Sequence, residues 1–300
     1  MNHMKKTALI GLITVSIGGV AQAQRTFTEV TDTNGDGTGD YLWSTTANWG
    51  TDGMPDSTSG NPTNNVTISV DADVVINDGT AVARNLVLKE GSSLTVTADG
   101  ELNTGNFLDL QKNVDVNNYG TINLAARFLL TTGGADAYNH AGGSITAKSL
   151  EIRKNGTFHM LGGTFNSTGG LMVQDAKGPG GHLNVHGGSM NFTNTDWFDS
   201  SVTGWDLEDY TIDFAGTGEL VFDLDDVTGE TRYGQLVTTI GAAMNAGHIT
   251  TDGVALSGAT MVTDDTLNTI TLTAVPEPAT YAFFAGCFGF AWVMLRRRRS

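Results

Sequence analysis

The sequence predicts an all-β chain whose central part is a parallel β-helix, and three observations carry that expectation. The first is composition: thirty-nine glycines against five prolines, with abundant Thr, Asn and Val, favour short strands and tight turns over helix. The second is a repeat. Phe158-His-Met160-Leu-Gly-Gly-Thr-Phe165-Asn166 and Leu183-Asn-Val185-His-Gly-Gly-Ser-Met190-Asn191 follow one pattern, and Gly142-Gly143-Ser144-Ile145-Thr146 ends a third copy, so the Gly-Gly pairs fall 20 and 25 residues apart. The third is a second register of strand, glycine corner, strand in Leu86 to Val96 and in Leu150 to Phe158. Units of this length cannot bury an apolar face alone, so they read as stacked rungs. A two-sheet sandwich is the alternative, because turn signals every 8–12 residues also mark that fold.

Residues 1–23 have the parts of a secretory signal peptide: Lys5 and Lys6, an apolar helix-forming stretch from Ala8 to Val20, and Ala21-Gln22-Ala23 as the cleavage site. A first membrane span is disfavoured by the short stretch and by Gly18 and Gly19. The mature chain is expected to start near Gln24.

Residues 24–64 read as an N-terminal cap, in which the stretch from Tyr41 to Trp49 places two large aromatics over the first rung. Within them Asp32, Asn34, Asp36 and Asp40 put oxygen ligands at loop positions 1, 3, 5 and 9, with Gly37 at position 6, the first half of a calcium loop. Trp43 stands where a bidentate Glu belongs, so calcium and a plain solvated turn both fit these residues. No other cofactor is called for.

Residues 65–204 are the repeats. Period-2 alternation assigns Val66, Ile68, Val74, Ile76, Leu86, Leu88, Leu94, Val96, Ile122, Leu124, Leu150, Ile152, Phe158, Met160, Leu183 and Val185 to the interior. His182 and His186 sit on a strand, where four residues span about 13 Å, too far for one zinc ion.

From 205 to 274 the Gly-Gly rhythm stops, and a C-terminal β region is expected with strands at Tyr210 to Phe214, Glu219 to Leu224, Gln235 to Ile240 and Thr269 to Thr273. No helical periodicity stands out; the nearest is Gly241 to Gly247. Glu219, Asp223, Asp225 and Asp226 form its densest acidic group, which reads as an acidic strand end or, alternatively, as the carboxylates of a polysaccharide lyase or glycosidase. No nucleophile elbow, phosphate-binding loop or His-Glu-x-x-His occurs, and no catalytic residue is assigned.

Charge narrows the partners. Between residues 24 and 295 ten basic residues face all thirty-two acidic ones, a net of −22, which repels nucleic acid and anionic lipid and attracts divalent cations. The single cysteine, Cys287, forms no disulfide framework, so stability must come from packing and backbone ladders.

The last segment, 275–300, has three parts. Val275-Pro276-Glu277-Pro278 holds the chain extended, since each proline restricts the residue before it. Ala279 to Leu295 is uncharged over seventeen residues, about 26 Å as helix, against a hydrocarbon core of about 30 Å. Arg296, Arg297, Arg298 and Arg299 keep the end in the cytoplasm by the positive-inside rule. By itself this is a C-terminal transmembrane anchor, which would leave a retained membrane-anchored binding module. With Pro276, Glu277 and Pro278 immediately before the span, the tail resembles the PEP-CTERM sorting signal of Gram-negative bacteria. The resemblance implies recognition by an exosortase, removal of the span, and delivery from an inner-membrane precursor to the cell surface or extracellular matrix. The Trp43/Trp49 opening and the Val-x-Ile strands more loosely resemble secreted autotransporter-like repeat proteins, as does Arg232-Tyr-Gly-Gln-Leu236. The expected role is a non-catalytic surface repeat protein whose partners are the exosortase and exopolysaccharide or surface glycans.

Overall fold

The structure, a computed structural model, describes residues 24–27, 42–44, 49, 55, 64–77, 79–172, 180–193, 210–224, 230–255 and 259–274. These residues are mostly β: a β-solenoid of about five turns and, among the described residues, one helix. The strands pair in parallel along three faces. The first face carries Asn65–Ile68, Asn85–Leu88, Leu108–Leu110, Arg127–Leu130, Ser149–Ile152 and Leu171–Met172, with Gln24–Phe27 pairing beneath them. The second carries Asp73–Ile76, Ser93–Val96, Asp115–Asn118 and Asp136–Asn139, then the first halves of the long strands Thr157–Ser167 and His182–Phe192, then Thr211–Phe214 and Ile249–Thr251. The third carries Gly79–Ala83, Gly100–Thr104, Thr121–Leu124 and Ser144–Ala147, the second halves of the long strands, and Glu219–Asp223. Parallel pairing throughout these faces excludes the sandwich.

Turns on the first face advance by 20 to 22 residues, as Val66, Leu86, Leu108, Phe128, Leu150 and Leu171 stack in register. All sixteen side chains assigned to the interior from alternation are buried. They join one continuous core.

Corners recur because particular residues tolerate left-handed backbone. Between the first and second faces Asp71, Gly91, Asn113, Gly134 and Asn155 all have positive φ, the conformation that Gly, Asn and Asp adopt at least cost. Between the second and third faces the Gly-Gly pairs supply it. There Asn118 donates to the Asn139 side-chain oxygen at 2.7 Å and Asn139 donates to the Gly162 carbonyl at 2.8 Å. Both amides are fully buried, and these bonds satisfy donors that would otherwise be costly to desolvate.

The bottom of the solenoid is covered by Trp43 and Trp49. Trp49 is buried edge-to-face on Phe27 and Trp43, and its Nε1–H donates to the Trp43 carbonyl at 2.8 Å. These two aromatics pack against the lowest rung; Tyr41 and most of residues 24–64 lie outside the described residues.

The C-terminal part departs from the expectation of strands alone. Gln235 to Ile240, expected as a strand, lies inside a helix, Glu230–Ala246. Leu236, Ile240 and Ala243 are buried at helical spacing, with Tyr233, Val237 and Met244 packed partly against them. Gly234 and Gly241 have open space where a Cβ would stand, so they lower helix propensity without helping the packing. The helix stops at Gly247, φ 81, where Gly247 N–H bonds to the Met244 carbonyl and His248 N–H to Ala243, a Schellman closure. The residues Arg232 to Leu236 are therefore helical. Thr269–Ala274 then adds antiparallel to Glu219–Asp223, and Ala259–Asp264 adds antiparallel to it in turn. A helix and a reversed hairpin thus close the end of a parallel stack, which would otherwise offer a bare edge.

Among the described residues no helix is long and apolar enough to cross a membrane. Ala21, Ala23, Pro276, Glu277, Pro278 and Arg296 to Arg299 lie outside the described residues, as do the expected signal and tail helices.

Candidate functional site

Outward-facing residues of a parallel solenoid form rows along its axis, one side chain per rung, about 4.8 Å apart. Most such rows here are Thr, Asn, Ser and Asp. One region differs. On the second face Asn117, Tyr138, His159 and Asn184 are in register on successive rungs. One step on, at the corner, the ladder that pairs Asn118, Asn139 and Met160 puts Tyr119, His140 and Leu161 in a parallel row.

The rings stack rather than scatter. Tyr119 and His140 lie 4.0 Å apart at 9°, and Tyr138 and His159 lie 4.4 Å apart at 6°. Polar neighbours fix the imidazoles: His140 Nε2 is 3.1 Å from the Asn117 side-chain oxygen, and His159 Nδ1 is 3.2 Å from the Asn184 amide. Tyr119 remains 42% exposed and Leu161 40% exposed, two of the few large apolar side chains on the described surface.

A row of acid borders the rings. Asp73, Ser93, Asp115, Asp136 and Thr157 share one register column. Burial, and then the facing Asp136, push the Asp115 carboxyl above the usual carboxylate range. Burial followed by Asp136 and Asp115 raises the Tyr138 phenol. Burial lowers the His140 imidazole and also that of His159, where Asp136 opposes the effect and His186 adds to it. At neutral pH the strip therefore presents uncharged rings beside anionic carboxylates.

The raised Asp115 has a consequence for stability. A carboxyl whose folded-state pKa is raised favours the fold while protonated, and that advantage is lost as pH climbs through the folded value. Asp115→Asn should thus stabilise the chain at pH 7 by about 0.5 kcal/mol, the scale of a like-charge cross-strand pair once solvent screening of an exposed carboxyl is allowed for. The gain should vanish at pH 3, where wild-type Asp115 is neutral; urea unfolding at the two pH values measures it. An equal gain at both would assign the effect to packing.

The other side chains weighed for chemistry in the sequence do not converge where they fall among the described residues. His182 is bonded to Thr211 at 2.8 Å and His186 to Asp213 at 3.3 Å, so each has its own partner. Asp213 also accepts from Thr250 at 2.5 Å and from Gly253 N–H at 2.9 Å, which fixes the turn carrying Asp252 and Gly253. Glu219 and Asp223 lie on the outer side of their strand, in register with Thr273 and Thr269. Asp225, Asp226 and the calcium candidates Asp32, Asn34, Asp36 and Asp40 lie outside the described residues. Among the described residues no three His, Cys, Asp or Glu side chains are grouped to hold a metal.

Glu151 is the one buried carboxylate among the described residues. It meets Arg153 at 2.6 Å and Arg127 at 3.3 Å, and both guanidiniums reach solvent. The two ion pairs hold neighbouring rungs together, with a guanidinium facing each oxygen of Glu151. Asp109 stands two rungs away in the same row, roughly 10 Å along the axis.

Aligning inward positions, as the repeat invites, does not reveal the ring strip. Writing the rungs under one another by their outward positions, with Tyr119, His140 and Leu161 each one residue past an inward side chain, is the signal that finds it. No family model, no curated protein and no solved structure matches this chain.

Proposed function

We propose that this chain is an exported, non-catalytic β-solenoid, carried to the inner membrane, sorted by an exosortase through Pro276, Glu277 and Pro278, and placed on the cell surface or in the extracellular matrix. The observation that carries the reading is the three-part tail, Pro-Glu-Pro before an uncharged stretch and four arginines. A β-solenoid is compatible with it, since a stack of rungs extends as a spacer and displays regular rows of side chains. The paired state of Glu151 supports a structural role for that carboxylate.

Intact mass and fractionation in the native host test it, comparing wild type with Pro276→Ala/Pro278→Ala. Wild type should end near Pro278 and appear outside the cell, while the double variant keeps Arg296 to Arg299 and stays in the inner membrane. Retention of the tail by both would make this a membrane-anchored binding protein instead.

A further inference from the structure

We propose that the strip of Tyr119, His140 and Leu161, with Tyr138, His159 and Asn184 alongside, is a docking track for an extended, neutral, hydroxyl-rich polysaccharide. The inference deepens the surface or matrix role and takes from it only the source of the polymer.

Three observations select this ligand class. First, the strip is amphipathic on the scale of a sugar. The exposed ring edge of Tyr119 and the side chain of Leu161 offer apolar surface to the C–H groups of sugar rings, Asn117 and Asn184 in the neighbouring column offer amides to hydroxyls, and Asp115 and Asp136 one column further offer acceptors. On the rung below Tyr119 the same corner position holds only Thr97, so no ring stacks on that side. Second, the groups repeat once per rung along a straight axis, about 4.8 Å each, a spacing close to one residue of an extended glycan. Regular repetition suits a polymer lying along the solenoid better than a single small molecule.

Third, charge removes the rival partners. Asp115 and Asp136 border the strip on a chain of net charge −16, which disfavours uronic-acid polymers and nucleic acid. A second copy docking through the same strip would set these aspartates against their own kind. The neutral state of His140 and His159 keeps cationic character out of the strip as well.

The test is co-sedimentation of the purified full chain in detergent with microcrystalline cellulose and with insoluble xylan, using calcium alginate beads as the anionic counterpart. The wild type should partition onto a neutral polymer. Tyr119→Ala/Leu161→Ala should lower the partition constant about tenfold, the scale of losing roughly 1.4 kcal/mol of contact. Tyr119→Phe, which keeps the ring, should bind as wild type. Val262→Ser, which alters an exposed apolar residue elsewhere, should also bind as wild type. Circular dichroism confirms that each variant is folded. Wild type remaining in the supernatant with both neutral polymers overturns the proposal. So does equal loss in Val262→Ser, preference for alginate, or a dimer in sedimentation velocity that the double variant abolishes, which would give the strip to self-association. Binding by purified chain does not depend on export, so failure here leaves the sorting proposal standing, and a retained tail leaves this one standing.

Discussion

Phe158→Ala is expected to cost about 4 kcal/mol of stability, the middle of the range for truncating a buried aromatic. Phe158 is fully buried and meets Phe128 at 5.7 Å and Phe165 at 5.5 Å, both edge to face. The series continues through Phe165 with Phe192 at 5.8 Å and Phe192 with Phe222 at 5.6 Å. Alanine there would remove the ring linking the upper and lower parts of this interior stack. In a solenoid each rung is supported only by its neighbours, so the backbone cannot collapse into the cavity without pulling adjacent ladders out of register. A thermal midpoint lower by about 10 °C is the corresponding shift for a chain of this size. A cost under about 1.5 kcal/mol would mean that neighbouring rungs close the gap, and the picture of a stiff stack would be wrong.

How much of this is legible in the sequence depends on which physical signal each element leaves. Strand alternation is local and survives in a single sequence, which is why it places Val66 through Val185 inside and why they are there. The Gly-Gly corners are equally plain, because only glycine serves where one backbone crowds another. The buried Asn118 and Asn139 escape notice: they occupy inward positions in the same alternation, yet a polar residue at such a position reads as outward until the facing amide is known. The helix Glu230–Ala246 escapes for a different reason. Val237, Thr238, Thr239 and Ile240 carry strand propensity, and Gly234 and Gly241 interrupt the run. The buried stripe of Leu236, Ile240 and Ala243 wins because it covers the end of the core, a tertiary demand that no local window contains. The ring strip needs the rung register itself, since Tyr119, His140 and Leu161 are about 21 residues apart along the chain and adjacent only across the ladder.

Gly163→Ala should be nearly as damaging, by at least about 3 kcal/mol, and it separates two costs usually confounded at glycine. Gly163 has φ 68, and a left-handed non-glycine residue costs about 1–2 kcal/mol. Its Cβ would also overlap the Gly143 carbonyl oxygen on the rung below and come within 2.9 Å of the His140 carbonyl oxygen. The Gly143 oxygen already accepts from Thr164 N–H at 3.0 Å, so it cannot swing away without opening the ladder between Ser144–Ala147 and the strand above. Gly79 provides the control, because it has the same φ of 68 with nothing within 4 Å of the place a Cβ would take. Gly79→Ala should therefore show the conformational cost alone, about 1–2 kcal/mol. The difference between the two variants, read in urea unfolding, is the cost of forcing neighbouring rungs apart. Amide exchange should place that difference at Ser144–Ala147 and Thr164–Ser167. Equal costs would show that the corner has slack, and that the Gly-Gly repeat is maintained by backbone angle and not by the closeness of the rungs.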